Sequence, residues 1–171
     1  LYFRNSLIVA TTNTVCVLFT SSLAGYIFAR YQYRLMDVLF YIILGTMMIP
    51  SYLIIVPLFM SFVRLGFVDN FAGLILPGTI SAFGIFLLRQ FIMSIPSDLF
   101  DAAEIDGCGV LGAYRHVTLP LCKPGMAALT IFTFTGNWDS LLWPLIITRS
   151  TQMRTLSVGI AAFQGMYFTS I

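Results

Sequence analysis

The chain has 171 residues, of which 58% are hydrophobic and only 9% charged, with a net charge of +2 and a mean hydropathy of +0.91. Soluble domains carry about 25% charged residues, so this composition excludes a soluble globule and specifies an integral membrane protein with several spans. A balance of +2 by itself says nothing about nucleic acid, and no nucleic-acid partner is expected. Cys16, Cys108 and Cys122 are odd in number and lack metal-ligand spacing, so free thiols are expected. Leu1 begins just before an apolar run and Ile171 ends without a stop signal, so a piece of a longer protein is expected.

In chain order, the first expected span covers about residues 6–29. It carries Thr11, Thr12, Asn13, Thr14, Ser21 and Ser22, groups that lipid alone does not call for. Two readings stand: interhelical hydrogen bonding, or the lining of a pathway. Ser21, Gly25 and Ala29 recur every four residues, a small-residue face suited to close helix packing. After a short basic loop from Arg30 to Arg34, a second span runs over about 36–62. It is longer than the roughly 20 residues a bilayer needs, so it should tilt or kink. Pro50 and Pro57 each remove a backbone hydrogen bond on one face, which places this span inside the bundle. Arg64 to Asn70 form the next loop, and a third span over about 71–92 carries Gly73, Pro77 and Gly84 and ends at Arg89.

Residues 101–124 form the most polar stretch, with Asp101, Glu104, Asp106, Arg115, His116 and Lys123. Pro96 suits the first turn of a helix, with Ser94 or Ser97 as cap and Asp98 and Asp101 near its positive end. A short helix over 98–105 is expected, with Leu99, Ala102, Ala103 and Ile105 as its apolar set. Asp106-Gly107 signals a turn, and a second short helix over about 109–116 follows, ended by Pro120 and Pro124. The product is a helix–turn–helix knuckle outside the bilayer. A fourth span covers about 125–147 and contains Asp139 beside Trp138 and before Trp143-Pro144. Asp139 either lines a route through the membrane or sits at an interface marked by the two tryptophans. Residues 148–171 are a more polar tail leading toward a further span.

Other motifs carry less. Gly107, Gly109 and Gly112 spell a dinucleotide fingerprint, but a helix, not a strand, precedes them. No Walker loop is present, and His116 is the only histidine, so no catalytic residue, cofactor or metal ligand is assigned. Basic residues divide five (Arg30, Arg34, Arg89, Arg115, Lys123) against four (Arg4, Arg64, Arg149, Arg154), too even to orient the chain.

The central loop resembles the Glu-Ala-Ala loop of permease subunits of bacterial ATP-binding cassette importers. Ala102, Ala103, Asp106, Gly107, Tyr114, Leu119, Pro120 and Pro124 stand at that pattern's spacing, with Asp101 in place of Glu and Cys108 in place of Ala. Further segments are similar to the sugar-type branch that includes the maltose permease subunits: Met48-Ile49-Pro50, Pro57-Leu58-Phe59, Leu65-Gly66, Leu74 to Pro77, Leu87 to Phe91, Asn137-Trp138-Asp139, Leu142 to Leu145 and Arg154 to Gly159. The branch usually shows Trp-Asn-Asp/Glu where this chain has Trp138-Asp139-Ser140.

The resemblance implies an all-α, polytopic transmembrane helix bundle over 1–171, about four spans with a cytosolic helix–turn–helix coupling loop at 93–124. It places the chain in the inner membrane as a multi-pass protein lacking the family's first and last spans. It implies a transport subunit without its own ATPase site, importing a sugar by alternating access. Its partners would be a second permease subunit, a cytosolic ATPase dimer and an external solute-binding protein. Asp101, Ala102, Ala103, Asp106, Gly107, Leu119, Pro120 and Pro124 would couple to the ATPase, with Leu99 and Leu111 filling its groove, unless the loop folds back on its own bundle. Asn137, Trp138 and Asp139 are the pathway candidates. An ion-driven secondary transporter or channel, which should show ionisable groups in more than one span, and a membrane-embedded enzyme are the rival readings.

Overall fold

A computed structural model describes residues 1–31 and 33–168, the last four of these as backbone only. The described residues form helices and no strand. In order these are α1 (Tyr2–Arg30), α2 (Arg34–Thr46), α3 (Ser51–Arg64), α4 (Phe71–Ile75) running into a 3₁₀ turn (Leu76–Gly78), α5 (Ala82–Met93), α6 (Ser97–Ile105), α7 (Val110–Ala113), a π-helical stretch (Tyr114–Thr118), α8 (Leu119–Leu121), α9 (Lys123–Trp138), α10 (Leu142–Ile147) and α11 (Leu156–Phe168).

Among the described residues, only α1 is by itself long and apolar enough to cross a membrane. Three further spans arise if broken helix pairs are each taken as one: Arg34–Thr46 with Ser51–Arg64, Phe71–Gly78 with Ala82–Met93, and Val110–Leu121 with Lys123–Trp138. The second, third and fourth expected spans are therefore not continuous helices. The second breaks at Pro50, which takes the N-cap of α3 with extended ψ, while Pro57 stays inside α3. The third breaks after the turn holding Pro77 and Gly78. The fourth breaks at 139–141, between α9 and α10. Two of these three breaks fall at prolines, where a missing N–H and ring crowding interrupt the helical ladder.

The chain divides into two compact units. One comprises Leu1–Cys16, Pro50–Thr79 and the chain from Phe132 on. Its core is Val9, Phe62, Leu74 and Ile147, with Leu58, Phe67 and Trp143 packed against it. Helix α3 ends in a Schellman turn: Gly66 has φ +74°, and the Gly66 and Phe67 N–H groups donate to Val63 and Phe62 carbonyls at 3.1 and 2.9 Å. Phe62 and Phe67 meet edge-on at 5.8 Å across that turn. Asn70 then caps α4, its Oδ1 accepting from the Gly73 N–H at 2.9 Å.

The other unit comprises Val17–Ile49 and Ile80–Ile131. One core cluster is Tyr26, Ala29, Ile92, Phe100, Tyr114 and Cys122; a second is Val17, Leu88 and Leu129. The small-residue face read from the sequence is buried at Ser21, Gly25 and Ala29. Opposite Ser21 lies Gly84, so close that a Cβ there would stand 2.5 Å from Ser21 Oγ. Gly84→Ala should therefore lower stability by about 1–3 kcal/mol through overpacking. Ser21→Gly, which removes the clashing hydroxyl, should recover part of that loss in the double variant. Thermal unfolding of the detergent-purified protein reads both effects.

Candidate functional site

The knuckle at 93–124 lies within the second unit. Helix α6 starts at Ser97 with Pro96 as its N-cap residue, and no side chain caps it. The two serines offered as caps are used otherwise: Ser94 donates to the Phe91 carbonyl at 2.7 Å and Ser97 to Asp98 Oδ1 at 3.4 Å. The expected turn is a second Schellman motif. Gly107 has φ +81°, its N–H donates to the Glu104 carbonyl at 3.0 Å, and the Cys108 N–H donates to the Ala103 carbonyl at 2.9 Å. A Cβ on Gly107 would meet nothing within 4 Å. The glycine is needed for its backbone conformation, not for a close approach.

The expected apolar set of α6 is corrected. Its buried residues are Phe100 and Ala103, one turn apart, whereas Leu99, Ala102 and Ile105 are exposed. Ile105 is 87% exposed and Leu111 72%. The second arm is also longer than expected. From Val110 the chain stays helical through Leu121, passing through the π-helical stretch, and Pro120 lies within it instead of ending it. A π-helical turn accommodates the N–H that Pro120 lacks.

A ladder on α1 holds this knuckle. Ser22, Tyr26 and Arg30 are four residues apart and so share one face. The Ser22 hydroxyl is 2.7 Å from the Tyr114 hydroxyl, Tyr26 donates to the Val110 carbonyl at 3.1 Å, and the Arg30 guanidinium lies over the Phe100 ring at 4.1 Å. Leu119 packs against the same core. Of the coupling candidates, Ala103 is buried and Leu119 half-buried, while Asp101, Ala102, Asp106, Gly107, Pro120 and Pro124 are exposed.

The three pathway candidates lie in the first unit and part company. Asn137 Oδ1 accepts from Asn13 Nδ2 at 2.7 Å, and Asn137 Nδ2 donates to the Thr133 carbonyl at 2.8 Å. Trp138 stacks on Phe134 at 5.8 Å and meets Phe3 edge-on at 5.3 Å, while its carbonyl accepts from the Ser157 hydroxyl at 3.0 Å. Asp139 is exposed, just beyond the end of α9.

Sequence reasoning passed over Asp69. It has φ +60°, the left-handed region that Asp tolerates better than most residues. Its N–H donates to the Ile147 carbonyl at 2.9 Å. Its Oδ1 accepts from the Arg149 and Ser150 N–H groups at 2.9 Å each and from the Ser150 hydroxyl at 3.1 Å. Burial alone would push this carboxyl up, but these hydrogen bonds and the Arg149 charge hold it below the usual carboxylate range. The loop from Arg64 to Asn70 was visible in the sequence; the partners of Asp69, some 80 residues on, were not.

Residues 21–169 match the family model described as binding-protein-dependent transport system inner membrane component. The chain belongs to this family. It is 37% identical over 166 residues to the arabinooligosaccharides transport system permease protein AraQ of Bacillus subtilis, covering 97% of this chain and 59% of that protein. It is 36% identical to the sn-glycerol-3-phosphate transport system permease protein UgpE of Yersinia enterocolitica, covering 91% of this chain and 56% of the other. Against the diacetylchitobiose uptake system permease protein NgcG of Streptomyces coelicolor the identity is 35%, with coverage of 95% and 54%. A crystal structure of a bacterial ABC transporter involved in the import of the acidic polysaccharide alginate superposes with a TM-score of 0.85 at 26% identity, covering 98% of this chain and 63% of that one. The chain thus spans little more than half the length of the curated relatives it matches. The all-α membrane helix bundle is the architecture of this family.

Two outcomes are expected for this family member. Gly107→Val should insert in the membrane but destabilise the turn, whereas Gly107→Asn, which tolerates the left-handed conformation, should retain much of its stability. Thermal unfolding of the detergent-purified variants distinguishes them, and equal loss in both would refute a purely conformational role. The second concerns Asp69. A depressed carboxylate contributes its stability above the ordinary carboxylate pKa and loses it as pH falls through the depressed value. Protection of the Arg149 and Ser150 amides, corrected for intrinsic exchange, should be present at about pH 6, decline well below about pH 4, and be missing at both in Asp69→Ala. Hydrogen-exchange mass spectrometry makes this comparison.

Proposed function

We propose that this chain is the core of a permease subunit of an ATP-driven carbohydrate importer. It works beside a second permease subunit, a cytosolic ATPase dimer and an external solute-binding protein, as a multi-pass protein of the inner membrane. The observation that carries the reading is the knuckle. A short helix and a second helical arm are joined through Gly107 in the left-handed region and anchored to α1 by the Ser22, Tyr26 and Arg30 contacts. The anchored side is Phe100, Ala103 and Tyr114. The other side offers Leu99, Ala102, Ile105 and Leu111 with Asp101 and Asp106, a mixed apolar and acidic surface suited to a groove on another protein.

The mechanism is alternating access driven from outside the subunit. ATP binding closes the ATPases, the knuckle moves with the groove that holds it, and the α1 ladder passes that displacement to the spans. Asp101 offers a carboxylate to a basic or hydroxyl group across the interface, where a charge-assisted hydrogen bond is stronger than a neutral one. The chain performs no covalent step; ATP hydrolysis belongs to the partner. The permease names of relatives from three genera support the reading.

The test is a cysteine pair on one short helix. Cys122 is only 3% exposed, so it can remain in place while Cys16 and Cys108 are replaced. Ala102→Cys, on the exposed side, should cross-link to the copurified ATPase with a yield that depends on nucleotide. Ala103→Cys, on the buried side, should cross-link far less. Cross-links confined to the permease at both positions would refute the coupling role.

A further inference from the structure

Two cavities of about 490 Å³ and 180 Å³ lie in the first unit and share Pro77, Ser140 and Trp143 in their linings. The larger falls in the roughly 300–1,000 Å³ range of small-molecule sites. Its walls combine flat aromatic surface with hydroxyls. Tyr52 is 69% exposed. The Trp143 ring is fixed, its Nε1–H donating to the Gly73 carbonyl at 2.9 Å and its edge set against Phe62 at 5.5 Å.

The smaller cavity adds the amide pair. Asn13 is 1% exposed. Its Nδ2 is committed to Asn137, and its Oδ1 is buried with no hydrogen-bond partner. A buried acceptor left unpaired is costly, and such groups are ordinarily satisfied by protein, water or ligand. Asn13 is also sterically held, because a Cβ on Gly78 would come 2.6 Å from its Nδ2.

Charge then narrows the occupant. Among the described residues lining either cavity there is no Lys, Arg or His, and the exposed Asp139 adjoins Ser140. A phosphate or uronate entering here would lose water without gaining a cation. We infer that this subunit itself carries a sugar seat, built from Tyr52, Trp143, Ser140 and the Asn13–Asn137 pair, and that the seat takes an uncharged oligosaccharide in preference to a phosphorylated or uronic-acid one. The inference rests on the importer reading. It separates this chain from relatives named for a glycerol phosphate and for an acidic polysaccharide. The aromatic faces receive the C–H surface of the sugar ring, while the serine hydroxyl and the amide pair receive its hydroxyls.

The experiment uses the complete importer, with ATPase and solute-binding protein, in proteoliposomes. The probes are an arabino-oligosaccharide, diacetylchitobiose, sn-glycerol-3-phosphate and an alginate oligosaccharide. A neutral sugar should be taken up with higher kcat/KM than either anion. Tyr52→Ala should raise its KM about tenfold, equivalent to about 1.4 kcal/mol, with kcat little changed, and Tyr52→Phe should stay near wild type. Should Tyr52→Ala fail to assemble, Ser140→Cys in the background lacking Cys16 and Cys108 serves instead: the transported neutral sugar should slow its labelling by a maleimide, and the anions should not. Preferred uptake of an anion would overturn the ligand class and leave the importer reading standing. Neutral uptake with an unchanged KM in Tyr52→Ala and no protection at Ser140→Cys would overturn the seat. Failure of the ATPase to copurify would overturn the importer reading beneath both.

Discussion

A hydroxyl or amide on a helix in hydrocarbon has no water to turn to, and that constraint organises α1 and much that touches it. In its first half Asn5 donates to the Gln152 and Arg154 carbonyls, Ser6 accepts from the Leu156 N–H, and Asn13 joins Asn137. In its second half Ser22 and Tyr26 reach the second arm of the knuckle. Only some of the polar groups turn inward on their own helix, as Thr14 does toward the Ala10 carbonyl. The interhelical bonding expected of this span is therefore found at particular residues. Most of the buried groups bond across to other segments, and Asn13 does so while keeping an unpaired oxygen.

The cation at Arg89 obeys the same rule. It is largely buried, donates to the Phe28 carbonyl at 3.2 Å, lies over the Phe40 ring at 4.2 Å and stands 3.9 Å from Asp37. A carbonyl near the end of α1 and a ring face stabilise the guanidinium where water is scarce. With Arg30 on Phe100, two arginines thus hold elements of one unit through aromatic faces. Lysine would serve poorly at either position, because a compact ammonium is more strongly hydrated and lacks the planar fork.

The broken spans serve a different end. Irregular backbone at membrane depth survives only against protein or a cavity. The breaks at Pro50, at Pro77-Gly78 and between α9 and α10 supply the walls of the two cavities, where Tyr52, Pro77, Ser140 and Trp143 are found. A continuous helix would have used its backbone groups internally and left no such recess.

Composition, proline placement and the Asp106-Gly107 signal determined by themselves that this is a helical membrane protein with a turn at Gly107; the permease reading came from the resemblance of the stretch around Ala102, Ala103, Asp106, Gly107 and Pro120 to a known loop. Those features depend on local backbone chemistry and on the solvent the chain must live in, and both are written in consecutive residues. Which side of α6 is buried was decided by tertiary structure: Phe100 faces in because Arg30 and Tyr26, some seventy residues earlier, offer it a cation and a ring. The clasp of Asp69 on Arg149 and Ser150, the pairing of Asn13 with Asn137, and the edge-on contact of Trp138 with Phe3 were likewise settled only in three dimensions. Each joins groups distant in the chain, and no local periodicity records which distant group will satisfy a buried donor or acceptor.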